Sequence, residues 1–155
     1  MRVHGQSKQY QHKYIGLCGR LDTIQAAILL AKLPHYKQEL KNRQKVAKVY
    51  TSLMPDEVIT PTIKLDRSSA WAQYTIRLDN RNSAQIKLKD NNIPTAVYYP
   101  VPLHLQKCFQ YLGYKQGSFL VAEQASKKVM SLPMNPLLTK GQINYIAAQV
   151  KECFL

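Results

Sequence analysis

The sequence has 155 residues, 45% of them hydrophobic and 20% charged, with 22 Lys and Arg against nine Asp and Glu for a net charge of +13. A chain of this length buries about two-thirds of its unfolded surface, so it can hold a core without disulfide or metal staples. The positive excess allows an anionic partner, but the basic residues are dispersed, with no basic tail or Arg-rich block, which argues against a dedicated nucleic-acid binder.

Residues 1–20 are polar, contain Gly5, Gly16 and Gly19, and read as an extended or looping arm. Residues 21–155 read as one domain. Asp22 is placed to cap a helix, with Gln25 in capping-box position. The helix body from Ile24 to Leu33 is apolar almost all round, the pattern of a helix buried on most sides. Pro34 removes a backbone donor, so the helix is expected to end or kink there. A second helix is predicted from about His35 to Leu53, with Leu40, Val46, Val49, Tyr50 and Leu53 facing a core and Lys37, Lys41, Lys45 and Lys48 on a solvated face.

Trp71 to Leu78 alternates as a strand. Ser83 is expected to cap a short helix through Leu88 that ends at Asn91-Asn92. Ile93 to Tyr99 is β-rich and is closed by Pro100 and Pro102, so the strand is expected to end there or to lie at a sheet edge. Short helices are predicted for Leu103 to Tyr111, ending near Gly113, and for Ser118 to Met130. Ser131 to Pro136 is extended or turning. Thr139 with Gln142 forms a second capping box, opening a last helix with Ile143, Ile146, Ala147, Val150 and Phe154 on one face. This order gives an α+β domain, a small antiparallel sheet packed with helices.

Cys18, Cys108 and Cys153 are odd in number and widely spaced, without a Cys-x-x-Cys pair. That excludes a disulfide framework or zinc knuckle and points to a reducing, cytoplasmic setting. His4, His12, His35 and His104 lack metal-ligand spacing. The longest apolar run, Ala26 to Ala31, is too short to span a bilayer, and the polar start Met1 to Gln6 has no apolar signal region. A soluble protein with no membrane partner is expected. Phosphate loops, dinucleotide fingerprints and Gly-x-Ser-x-Gly are absent. His104 and Cys108 stand four apart, and a small buried cysteine is the commoner reading of that pair.

Two segments stand out. Gly16-Leu17-Cys18-Gly19-Arg20-Leu21-Asp22 leads a turn into a helix N-terminus, where backbone N–H groups and an Arg suit a phosphate or carboxylate. Alternatively, Arg20 only pairs with Asp22 or a neighbour. Ala96-Val97-Tyr98-Tyr99-Pro100-Val101-Pro102-Leu103-His104 offers flat aromatic faces and hydroxyl groups to a sugar or base, or is a tyrosine-rich sheet edge.

These segments carry a resemblance. Arg2-Val3-His4-Gly5-Gln6, the run from Gly16 to Leu29 with its Arg-Leu-Asp-x-x-Gln-Ala-Ala core, Lys32-Leu33, Arg43, Tyr50, Trp71 to Leu78, Thr95 to Gln106 and Ser131-Leu132-Pro133-Met134 resemble, in order, the DegT/DnrJ/EryC1/StrS family. These are pyridoxal-phosphate-dependent nucleotide-sugar aminotransferases of fold type I. The His-Gly-Gln opening and the Thr-Ala-Val-Tyr-Tyr-Pro segment look most similar to aminotransferases of UDP-linked 3-oxo-glucuronate sugars in O-antigen synthesis.

The resemblance covers the C-terminal part only, and Met1 matches an internal family position. A truncated reading frame, a cleaved product or a deliberately cut piece would each explain that. It implies a fold like the C-terminal domain of those enzymes, a nucleotide-sugar substrate, glutamate as amino donor and a homodimer. The catalytic lysine and most cofactor-phosphate contacts would lie in the missing part, so the chain is expected to be inactive alone and to bind no pyridoxal phosphate. Cys18 takes the place of an asparagine that contacts the cofactor phosphate across the dimer. Arg20 matches an arginine that approaches the substrate's charged group. Tyr98-Tyr99 replaces a frequent His-Tyr pair beside the sugar, and Tyr98 cannot move protons near neutral pH as an imidazole does. His104 matches the histidine after Pro-Leu. The alternative is a degenerate, non-catalytic module that binds a nucleotide sugar or a protein partner.

Overall fold

The computed structural model describes residues 1–154. The chain forms two compact units, residues 1–38 and 39–155.

The first unit opens with a hairpin, β1 (Gln6–Lys8) paired antiparallel to β2 (Gln11–His12). The arm closes on itself through Gly5, whose carbonyl accepts from the N–H groups of Lys13 at 3.0 Å and Tyr14 at 3.2 Å. Gly5 has φ +74°, and a Cβ there would collide with the Tyr14 carbonyl; a Cβ on Gly16 would collide with the Gly5 nitrogen. Only glycine permits this approach of two backbones. An isolated antiparallel bridge joins Val3 to Cys18.

Helix α1 (Thr23–Leu53) begins at Asp22, whose Oδ1 accepts from the Ile24 N–H at 2.8 Å. It runs unbroken through Pro34, where an end or kink was expected. One proline removes only its own donor, and the helix formers on both sides hold the remaining ladder. The apolar body is not buried as expected. Ile24, Ile28, Leu29, Leu30 and Leu33 are between 54% and 73% exposed. Helical periodicity identifies apolar faces, but burial needs a second element laid over them.

In the second unit the C-terminal half of α1 places Val46, Ala47 and Tyr50 in the core. Strand β3 (Tyr74–Arg77) pairs antiparallel with β4 (Val129–Leu132), with Tyr74 opposite Leu132 and Ile76 opposite Met130. Tyr74, Ile76 and Leu78 point inward and Arg77 outward, the alternation read from the sequence. The strand starts later than that reading because Trp71 has φ +50°. Trp71 is held there by three bonds. Its N–H donates to Ser69 Oγ, its indole N–H to Gln44 Oε1 at 2.8 Å, and its carbonyl accepts from Arg43.

Helix α2 (Arg81–Asp90) begins before Ser83, and the Ser83 hydroxyl donates back to the Asn80 carbonyl. Two 3-10 turns, Leu103–Leu105 and Lys107–Leu112, stand where one short helix was expected, and Gly113 ends the second with φ +77°. Helix α3 (Leu120–Lys128) stops where Val129 turns extended to start β4. The β-branched Val129 and the inward-facing Met130 and Leu132 favour the strand over a longer helix. Helix α4 (Lys140–Lys151) has the expected capping box of Thr139 and Gln142 and buries Ile143, Ile146, Ala147 and Val150.

At the centre, Tyr50 and Tyr74 pack at 5.0 Å between ring centroids, and Trp71 lies 5.7 Å from Tyr74. The Tyr50 hydroxyl donates to the Pro133 carbonyl at 3.0 Å. Burial pushes both phenols above their usual range; Tyr74 also repels ionisation of Tyr50, while the Thr51 hydroxyl partly offsets the shift at Tyr74.

Candidate functional site

Residues 93–99, expected as a strand, instead make a single bridge. Ala96 and Ser131 exchange both backbone hydrogen bonds, at 3.1 and 2.7 Å. Pro94, Pro100 and Pro102 have no N–H to extend the ladder. The bridge pins the segment to the edge of β4 just before Tyr98 and Tyr99. Their rings meet edge-on at 5.9 Å, and Tyr98 is 47% and Tyr99 76% exposed. The peptide between them is cis. After Pro100 the chain folds into the first 3-10 turn, with Leu105 N–H donating to the Pro102 carbonyl at 3.0 Å.

Tyr98 stands between two cavities. One, of 390 Å³, has Tyr98, Tyr99, Val101, Pro102, Leu103 and Gln106 on one wall and Ala122, Ala125, Ser126 and Val129 on the other. The second, of 250 Å³, is lined by Gln73, Thr95, Ser131 and Pro133 among others. Together they reach the size of small-ligand sites, about 300–1,000 Å³. The first supplies apolar surface and phenol groups, suited to the face of a sugar ring. The second adds amide and hydroxyl groups that can bond its oxygens.

His104 is turned away from this surface. Its side chain is buried, 7% exposed, and Nε2 lies 2.9 Å from Glu123 Oε1. It contributes to an adjoining apolar cavity of 470 Å³ with Phe109, Leu112, Tyr114 and Phe119, which shares Pro102, Leu103 and Ala122 with the first. Glu123, which sequence reasoning did not single out, also accepts from the N–H groups of Gly117 at 2.9 and 3.0 Å and Phe119 at 3.2 Å. The Gly117 bond, aided by Phe119 and His104, outweighs desolvation and holds the carboxyl below its usual range. The ionised carboxylate makes His104 Nε2 the donor. The pairing of His104 with Cys108 weighed from the sequence does not form. Gln106 is extended, with ψ 139°, and separates the two turns, leaving Cys108 exposed rather than buried.

In the first unit Cys18 and Arg20 lie together. Both are exposed, and the Arg20 hydrogen bond and charge lower the Cys18 thiol. Thus the structure groups Cys18 with Arg20, groups Tyr98 with Tyr99, and assigns His104 to the packing behind the tyrosine segment.

A cofactor held through a lysine needs an amine at its reactive carbon and an acid at its ring nitrogen. Every lysine is exposed except Lys128, which is half-buried and bonded to Asp79 at 2.5 Å. The buried carboxylate, Glu123, is committed to Gly117, Phe119 and His104. These residues do not fit a pyridoxal phosphate seat. Among the described residues there is also no group of three or more His, Cys, Asp or Glu that could hold a metal ion.

Comparison with known proteins gives this geometry its context. The model of the DegT/DnrJ/EryC1/StrS aminotransferase family matches residues 1–151. A "Pleiotropic regulatory protein" of Geobacillus stearothermophilus is 43% identical over 99% of the chain and 42% of its own length. The UDP-2-acetamido-2-deoxy-3-oxo-D-glucuronate aminotransferase of Pseudomonas aeruginosa is 44% identical over 94% of the chain and 40% of its own length. The crystal structure of a DegT DnrJ EryC1 StrS aminotransferase from Brucella abortus superposes with a TM-score of 0.88 and 35% identity, over 96% of this chain and 40% of that one. The chain therefore spans about two-fifths of the length of these relatives. With the family model matched over residues 1–151 and the fold superposed, the chain belongs to the DegT/DnrJ/EryC1/StrS aminotransferase family.

Proposed function

We propose that this chain is the C-terminal part of a pyridoxal-phosphate-dependent nucleotide-sugar aminotransferase, that it supplies the sugar-binding wall, and that it performs no amino transfer alone. The observation that carries this reading is the pair of cavities meeting at Tyr98. The exposure of the lysines supports the second half of the proposal. Bound in the intact enzyme, the cofactor would carry the amino group from a donor, glutamate in this reading, to a keto-sugar nucleotide. This chain's residues would stack against the sugar at Tyr98 and Tyr99, bond its oxygens and keep water off that face. Arg20 would meet a substrate anion, and Cys18 would stand where a cofactor-phosphate contact is expected. His104 would support the wall from behind.

The apolar residues exposed on α1 support a further covering part: the rest of the relatives' length, a second copy in a homodimer, or both. A UDP-linked 3-oxo sugar is the substrate we favour, because the P. aeruginosa relative is named for one; surface polysaccharide synthesis is the setting we favour for it, on the sequence resemblance alone. No described helix is long and apolar enough to cross a membrane. The three free cysteines favour a reducing compartment, the cytoplasm in this reading.

A chimera tests the reading. Residues 1–151 replace their counterpart in the P. aeruginosa enzyme, and amino transfer from glutamate to keto-sugar nucleotides is assayed. We expect activity, with Tyr99→Phe lowering kcat/KM about 10-fold, the worth of one hydrogen bond. A folded, cofactor-loaded chimera inactive on every keto-sugar nucleotide would contradict the proposal.

A further inference from the structure

Glu123 lies in the first turn of α3, beside Ala122 and one turn before Ser126, both in the 390 Å³ cavity wall. The opposite wall is the 98–106 segment, which contains His104. One carboxylate therefore bonds across from α3 to the tyrosine-bearing wall through His104 Nε2 at 2.9 Å, and to the 113–119 loop through Gly117 and Phe119. The His104 ring is also braced edge-on by Phe119 at 4.9 Å, and Phe119 by Tyr114 at 5.0 Å. At its start the segment is fixed by Ala96 to Ser131, and at its end by the Glu123 bond. Tyr98 and Tyr99 lie between these two anchors, exposed, and among the described residues no hydrogen bond holds either ring.

We propose that Glu123 is a positioning residue which, through His104, ties the tyrosine wall to α3 and sets the width of the cavity between them. A buried carboxylate with several donors is directional and resists displacement, unlike an apolar contact that can slide. The role in catalysis rests on the reading above that this cavity receives the sugar; the mechanical coupling does not.

The test uses the 155-residue chain with ¹³C-labelled tyrosine rings, assigned by single Tyr→Phe changes, in two-dimensional NMR. In Glu123→Ala, the Tyr98 and Tyr99 signals should shift beyond their linewidth, while the core Tyr50 and Tyr74 signals stay in place. Glu123→Gln, whose amide oxygen can still accept from His104 Nε2 and from the loop N–H groups, should return the signals most of the way to their parent positions. Tyr98 and Tyr99 signals unchanged in folded Glu123→Ala would overturn the proposal. So would equal movement of all four tyrosines in a folded variant, which would mark general loosening. If Glu123→Ala does not fold, Glu123→Asp decides: it keeps the charge but shortens the reach, and unmoved Tyr98 and Tyr99 signals would overturn the coupling. The NMR result needs no sugar, so tyrosine coupling alongside an inactive chimera would sink the functional reading alone.

Discussion

At Glu123, burial alone would raise the carboxyl pKa, yet the bonds from Gly117, Phe119 and His104 bring it below the usual range. A carboxyl whose folded pKa is depressed stabilises the fold above its unfolded pKa and loses that contribution as pH falls through the folded value. Thermal melting of the parent chain should therefore exceed that of Glu123→Gln at neutral pH, and the gap should close in acid below the ordinary carboxylate range. A gap that stays constant down to the acid limit would mean the carboxylate is not held ionised by these donors. The sequence made the tyrosines and His104 visible as a segment, but not Glu123. An acid in a first helical turn also reads as a match to the helix dipole. Its partner His104 is 19 residues away, and Gly117 lies in a loop whose path no periodicity encodes.

Among the elements, those announced by local chemistry agree best with the sequence. Thr139 and Gln142 make the capping box, and Tyr74, Ile76 and Leu78 alternate inward. Thr139→Ala should cost about 1 kcal/mol, the usual worth of an N-cap. Met130→Ala, in a fully buried strand position, should cost about 2–5 kcal/mol. Denaturant unfolding of the two variants checks the order, and a Thr139→Ala loss equal to that of Met130→Ala would mean the sheet core is not where β3 and β4 place it. Elements decided by distant contacts were less legible. The Ser118 to Met130 helix gave up its end to β4 because β3 offered a ladder at Val129 to Leu132. The 93–99 strand shrank to one bridge because its prolines cannot donate. Pro34 shows the converse: a strong local signal for a break was outweighed by good helix formers around it.

For the whole molecule, the α+β architecture was readable because the order of helices and strands follows from turns, caps and alternation. The fate of α1's apolar half was not. Its residues from Ile24 to Leu33 carry the composition of a buried helix but are exposed in a chain that spans about two-fifths of its relatives' length. In the proposed reading the chain carries a sugar wall and not the cofactor-holding lysine. Pyridoxal phosphate should be added in slight excess and the unbound cofactor removed by gel filtration. The visible spectrum should then be recorded before and after borohydride, followed by peptide mapping. No stoichiometric visible band is expected, and only scattered, substoichiometric labelling of exposed lysines. A one-to-one band that borohydride fixes onto a single lysine would contradict that reading.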